Sequence, residues 1–302
     1  MILLITGSVD GTADRLVSRY GEGIFRLNHD LLEDYDIEFT QTHWSITSPA
    51  GLSVNSATVS AACWWKAFSY WKPDLSKYAA AEARYLCRDL YGWCLMNRKV
   101  IGNPPDFHNR LGKMTILAAA AKYFPVPDTL TSVNLAGAKA LEGKKVVAKS
   151  LSSETSEDKK VLLTTEVDIS TLHPKFVWYL QEVVQSQYDV TVFYCDGRCF
   201  SFGRDRSGLS GLDWRAEQSF DYSEQEWFPF ELDSVVTDSL RMLSAELDLE
   251  FGRYDFMLDD SGALAFLEVN ANGQWVFLDI TDKYGLLDCV VTWMKKSATS
   301  TL

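Results

Sequence analysis

The stretch FGRYDFMLDDSGALAFLEVNANGQW, residues 251–275, constrains this chain most. Two apolar runs, 254–258 and 263–269, flank Asp259-Asp260-Ser261-Gly262, and turn residues between short apolar runs predict an antiparallel hairpin. Each arm carries an acid where an apolar residue belongs, Asp255 on the first and Glu268 on the second. Asn270 follows Glu268 by two, so the strand period puts both side chains on one face. A charge on an apolar strand is costly unless it is paired or binds a metal. Two carboxylates and an amide oxygen are hard donors suited to Mg²⁺ shared with a nucleotide's phosphates. Spacing alone also permits a plain hairpin with two edge-facing acids.

The wording is more specific than the spacing. FLEVNANGQWVFLD, residues 266–279, resembles the metal-binding end of the ATP-grasp ligases, whose pattern is an acid on one strand and Glu-x-Asn on the next. The continuation Asn272-Gly273-Gln274-Trp275 resembles one branch of them, the graspetide or microviridin-type peptide maturases. The resemblance implies an α/β (α+β) ATP-grasp fold. It assigns residues 1–105 to a pre-ATP-grasp α/β domain and 106–176 to a central subdomain with a phosphate-covering loop. Residues 177–302 become a C-terminal subdomain that carries the metal site.

The 302 residues are enough for such an enzyme, and 47% hydrophobic and 13% aromatic content describes a globular core. A net charge of −12 repels nucleic-acid phosphate, so no nucleic-acid partner is expected and a basic peptide fits better. Six cysteines form no C-x-x-C and read as buried free thiols, with Cys195 and Cys199 expected on one face beside an Asp196-Gly197 turn. The start, MILLITGS, lacks a basic n-region and reads as a strand instead of a signal peptide. No run reaches the roughly 18 apolar residues of a membrane span. A cytoplasmic protein without a membrane partner is expected.

Residues 2–6 read as a buried strand, 12–20 as a helix ended by Gly21 and Gly23, and 25–27 as a second strand. Residues 37–46, 51–54 and 57–64 alternate like strands, 78–97 has a helical apolar stripe, and Val100-Ile101 precedes a breaker. Cys63-Trp64-Trp65-Lys66 stands where graspetide ligases carry a strand ending in tryptophan and a basic residue; core packing is the expected role of both tryptophans. His108 reads as a structural cap before an alanine-rich helix, 113–123.

The resemblance also implies roles for individual residues. Lys113, fourteen residues before Pro127, falls near the position of the first phosphate-contacting lysine, with Arg110 left open. Lys149, where a strand over 146–148 meets a polar loop at 151–160, matches the second. Gln181, Glu182, Val183 and Val184 match the hinge whose backbone reads adenine, with Glu182 and Asp189 as polar contacts to the nucleoside. Relatives carry an arginine two residues after that acid, but Thr191 stands here. Either Arg204 or Arg206 supplies the charge, or substrate handling has changed. The triplet Asp213-Trp214-Arg215 recurs in the branch; with Arg204, Asp213 and Arg215 are expected in catalysis, the acid as base and the guanidinium groups on developing charge. A helix over 232–247 leads into the hairpin, a short helix over 290–296 follows, and the tail SATSTL is expected to be loose.

The resemblance thus implies ATP and Mg²⁺ as cofactors, the metal held by Asp255, Glu268 and Asn270, and a ribosomal precursor peptide, leader and core, as partner. A side-chain carboxylate becomes an acyl-phosphate and closes an ester or amide. Two alternatives stand beside it: a ligase adding an amino acid or small amine to a free carboxylate, and a nucleotide-binding regulator without catalysis. The peptide's sequence, ester against amide, ring number and oligomeric state, a homodimer included, are not legible in the chain.

Overall fold

Strand β1 (Ile2–Thr6) is apolar nearly throughout because both its faces are covered, and all five residues are buried. It belongs to the computed structural model of the protein, which describes residues 1–65, 76–105, 107–135, 137–152, 164–208, 212 and 227–300. Helix α1 (Gly11–Tyr20) crosses over to β2 (Ile24–Asn28), which pairs in parallel with β1. Strands β3 (Asp36–Phe39), β4 (Trp44–Thr47) and β5 (Ser53–Asn55) make a separate antiparallel sheet. Strand β6 (Ala61–Trp64), α2 (Lys77–Met96) and β7 (Val100–Ile101) complete a parallel sheet in the order β2-β1-β6-β7. Leu3 and Ile5 of β1 face the core that holds Cys87 and Leu90 of α2. Ile2 and Leu4 face a core shared with α1 and the C-terminal helix.

Two expected strands are shorter than their alternation suggested. The 37–46 run breaks at a turn where the Thr40 hydroxyl accepts the Thr42 and His43 amides, and 57–60 is lost to a turn in which Asn55 Oδ1 accepts the Ala57 and Thr58 amides. Side chains that imitate backbone acceptors end strands in ways that a hydrophobic pattern does not register.

Helix α1 starts at Asp10, fully buried, whose carboxylate accepts the Thr12 and Ala13 amides and the Thr6 hydroxyl. Burial pushes this carboxyl up, against the hydrogen bonds that hold it down. A raised folded-state value means that the folded chain holds the proton more tightly, so ionisation erodes stability as pH rises through the titration. Asp10→Asn, which keeps an N-cap oxygen, should therefore gain on the wild type as pH rises from 3 to 7, by up to about 1 kcal/mol, in thermal melts against pH. A difference that shrinks over that range would contradict this.

Helices α3 (Phe107–Arg110) and α4 (Lys113–Ala120) lead to a four-stranded antiparallel sheet, β10-β9-β11-β8. Its members are β8 (Thr129–Ser132), β9 (Val146–Lys149), β10 (Thr165–Val167) and β11 (Trp178–Glu182). A five-stranded antiparallel sheet, β14-β13-β12-β15-β16, comes after it. It comprises β12 (Ser186–Cys195), β13 (Arg198–Asp205), β14 (Phe228–Pro229), β15 (Phe251–Asp259) and β16 (Leu264–Asn270), with α5 (Ser234–Glu246) before β15. One face, with Val190, Val192, Tyr254, Phe256 and Phe266, packs on α4 and α5. On the other, Phe193, Phe202 and Phe251 meet Trp275 and α6 (Leu286–Ser300) at one end. The same face carries half-buried polar residues farther along, the hairpin acids among them.

The tail expected to be loose is helical as far as Ser300, and Ala298 is buried in the α6 face. Cys195 and Cys199 lie on opposite faces, because the two-residue turn pairs Tyr194 with Cys199 and Cys195 with Arg198. All six cysteines are free, five of them buried. Trp65 is buried and stacks on Phe251, and Trp64 meets Tyr91 edge-on, the core roles expected of them. Among the described residues no helix is long and apolar enough to cross a membrane. Lys66, residues 153–160 of the expected phosphate loop, Asp213, Trp214, Arg215 and the His108 side chain lie outside what the structure describes.

Candidate active site

The hairpin closes through Asp259, whose Oδ1 accepts the Ser261 and Ala263 amides, with Gly262 at φ 83°. Its register sets Asp255 opposite Glu268 and Arg253 opposite Asn270. Pairing then jumps to Phe256 opposite Phe266, leaving Leu267 as a bulge. The extra residue keeps Phe266 and Val269 in the core while Glu268 and Asn270 join Asp255 on the opposite face.

Asp255 accepts from the Thr191 hydroxyl at 2.7 Å, from Arg253 Nε and Nη2 at 3.2 and 3.0 Å, and from Asn270 Nδ2 at 3.1 Å. The same Asn270 amide reaches Glu268 Oε1 at 3.5 Å. Two carboxylates and an amide therefore converge as a hard oxygen donor set that fits Mg²⁺, once the amide turns its oxygen inward. Among the described residues no three His, Cys, Asp or Glu side chains group for a metal.

Lys149 ends β9 opposite Tyr179 of β11, and its ammonium donates to Gln181 Oε1 at 2.5 Å. Gln181 is buried and donates onward to Thr129, so it sets the lysine's position from beneath. Lys113, first residue of α4, donates to the Ser150 carbonyl at 2.6 Å and lies 5.9 Å from the Tyr179 ring centre. The Tyr179 hydroxyl is pushed up by burial and then by the charge of Glu268. Both lysines thus lie at one tyrosine that also feels the charge of the acid of the second arm, where the four-stranded sheet packs on the core of the five-stranded one. Arg110 is exposed at the end of α3.

At the hinge the Glu182 amide donates to the Asp128 carbonyl and the Val183 amide to the Lys145 carbonyl. Among the described residues the Val184 amide has no such partner. The Glu182 carboxylate binds Lys144 at 2.9 Å. Asp189, 8% exposed, accepts from Arg206 at 2.6 Å, while its Oδ2 is buried without a hydrogen-bond partner among the described residues. Burial pushes that carboxyl up, against the pull of Arg206. Arg204 pairs with Asp189 across the strands and is itself buried. Thr191 sits directly opposite Asp255 and offers a hydroxyl where an arginine would add a second charge.

Arg253 is a site residue that the sequence reading missed. It is a further charge on these strands, two residues before Asp255 and on its face, and that alternation was the available signal.

No family model and no curated protein matches the sequence. Solved structures do. The macrocyclase MdnC of Microcystis aeruginosa MRC, bound with precursor peptide MdnA, superposes at a TM-score of 0.77 with 19% identity, over 97% of this chain and 99% of that one. A Chryseobacterium gregarium RiPP-associated ATP-grasp ligase, in complex with ADP and a leader and core peptide, gives 0.80 with 19% identity over 98% and 96%. The ATP-grasp ligase PsnB, complexed with minimal precursor, Mg and ADP, gives 0.72 with 13% identity over 98% and 97%. The chain has the ATP-grasp fold over nearly its whole length. Within that fold its likeness is to ligases solved with precursor peptides.

Proposed function

We propose that the protein is an ATP-dependent carboxylate ligase that works through an acyl-phosphate and closes side-chain ester or amide crosslinks in a ribosomal precursor peptide. The observation that carries this is the convergence of Asp255, Glu268 and Asn270 on one face of the hairpin, with Lys113 and Lys149 both at Tyr179, whose hydroxyl feels the charge of Glu268. Residues 1–105, 106–176 and 177–302 are its pre-ATP-grasp, central and C-terminal units.

Mg²⁺ held by Asp255, Glu268 and Asn270 would supply charge compensation at the β- and γ-phosphates. Lys113 from the start of α4 and Lys149 from the end of β9 offset the remaining phosphate charge. In this reading the Val184 amide donates to the adenine edge, and Asp189, whose buried Oδ2 has no hydrogen-bond partner among the described residues, accepts from a nucleoside hydroxyl. Attack of a peptide carboxylate on the γ-phosphorus releases ADP. A hydroxyl or amine then attacks the acyl carbon and expels phosphate, with Asp213 as base and Arg204, Arg215 and Arg253 on the developing charge. Alignment and electrostatics are the protein's contribution, since phosphate leaves readily.

ADP release tests the proposal. Release that requires Mg²⁺ and a short Thr/Asp/Glu-rich peptide, with the peptide losing one water per ring by mass, is the expected result. Release with free amino acids would transfer the chemistry to a small-molecule ligase. Tight ATP binding without release would make the protein a nucleotide-binding regulator.

A further inference from the structure

Arg253 is held on three sides. Nε and Nη2 grip Asp255, Nη1 donates to the Gln274 carbonyl at 2.8 Å, and the guanidinium lies 5.7 Å from the Phe277 ring centre. It is 16% exposed at the side chain and Asp255 23%, so solvent does little to screen the pair. The side chain of Gln274 is in turn held from a distant part of the chain. The hydroxyl of Thr12, in the first turn of α1, donates to Gln274 Oε1 at 2.5 Å. Thr12 is 2% exposed, which leaves its hydroxyl few other partners. Gly273 allows the chain to turn this sharply, because a Cβ there would stand 2.6 Å from Asn270 Cβ. The result is a continuous file, Thr12 to Gln274 to Arg253 to Asp255, from the first turn of α1 to the face of the hairpin that carries the acids.

We propose that Thr12 and Gln274 are positioning residues which, through the Gln274 carbonyl, lock the Arg253 guanidinium onto Asp255. The lock has two effects of opposite sign. Locked Arg253 opposes a divalent cation at Asp255, since a fixed positive charge lies at bonding distance from the same carboxylate. The lock also holds Arg253 where it can meet charge developing on the acyl-phosphate, an effect that rests on the proposed ligase function. Loosening the file should therefore tighten metal binding and slow turnover together. A merely structural contact would weaken both with the fold.

The experiment uses the full-length chain labelled with ¹⁵N. The Arg253 Nε–H resonance, identified by its disappearance in Arg253→Lys, should exchange slowly with water in the absence of metal and nucleotide. In Thr12→Val its exchange should accelerate about tenfold, Mn²⁺ should bind several-fold more tightly, and kcat for ADP release should fall about tenfold at unchanged KM for ATP. Thr12→Ser, which restores the hydroxyl, should recover all three. Gln274→Leu keeps the carbonyl but loses the anchor and should match Thr12→Val, and the double variant should be no worse than either single one. Unchanged Arg253 exchange in both single variants, or additive effects in the double, would overturn the relay. Because the exchange readout needs neither metal nor substrate, a wild-type chain that released no ADP would defeat the ligase proposal and leave the relay to be decided by the resonance.

Discussion

Glu268→Gln is expected to lower ADP release by roughly 10²–10³-fold, about 3–4 kcal/mol of transition-state stabilisation. The change keeps the side chain's volume and removes one charge from the cross-strand pair with Asp255. A divalent cation facing a triphosphate needs that charge, and an amide oxygen is a weaker donor. The thermal midpoint should move by no more than about 3 °C, because the side chain is only half-buried and adds nothing to either core. Unaltered turnover would detach these acids from nucleotide chemistry. Turnover lost together with the fold would leave them merely structural.

Asn103→Leu carries the largest expected loss of stability. This buried side chain donates to the Phe251 and Ala271 carbonyls, each at 2.6 Å, and accepts the Glu250 amide at 2.9 Å. Leucine has similar bulk but satisfies none of the three. Each buried polar group left unpaired costs on the order of 1–3 kcal/mol, and neighbours relax in part, so about 3–5 kcal/mol should disappear from the urea-unfolding free energy. The damage should also reach the site, since Asn103 ties the end of the parallel sheet to the strand ends on either side of the acid pair. A loss under about 1 kcal/mol, with an unchanged m-value, would mean that water or a rearranged loop replaces the amide.

Asn103 was legible only as part of a Gly-Asn-Pro-Pro breaker, because its three partners lie about 150 residues away or more, at 250, 251 and 271. The hairpin acids were legible because their whole constellation is local: a turn, two alternating arms, and charges that break the alternation. The same locality explains Lys149, at the end of a short apolar strand. Gln181 was placed in the nucleotide site from sequence, yet its amide is buried under Lys149, a relation that only pairing of β9 with β11 creates. Errors arose where a few polar atoms outweigh a pattern, as at the Thr40 and Asn55 turns, or where a turn resets the face, as between Cys195 and Cys199.

The sequence by itself determined the hairpin, the first parallel strands and the longer helices, and the charges they bear. Alternation and turn chemistry act between near neighbours, and their energetics need no distant partner. Tertiary structure alone decided which charges share a surface. It set the bulge at Leu267 that turns Glu268 and Asn270 outward, the facing of Thr191 and Asp255, and the gathering of Lys113 and Lys149 around Tyr179. It also decided that a threonine near the start of the chain grips a glutamine near its end. Those relations depend on sheet register and on burial shared between remote segments, and a Coulomb interaction that falls off with distance has no value until register fixes the distance.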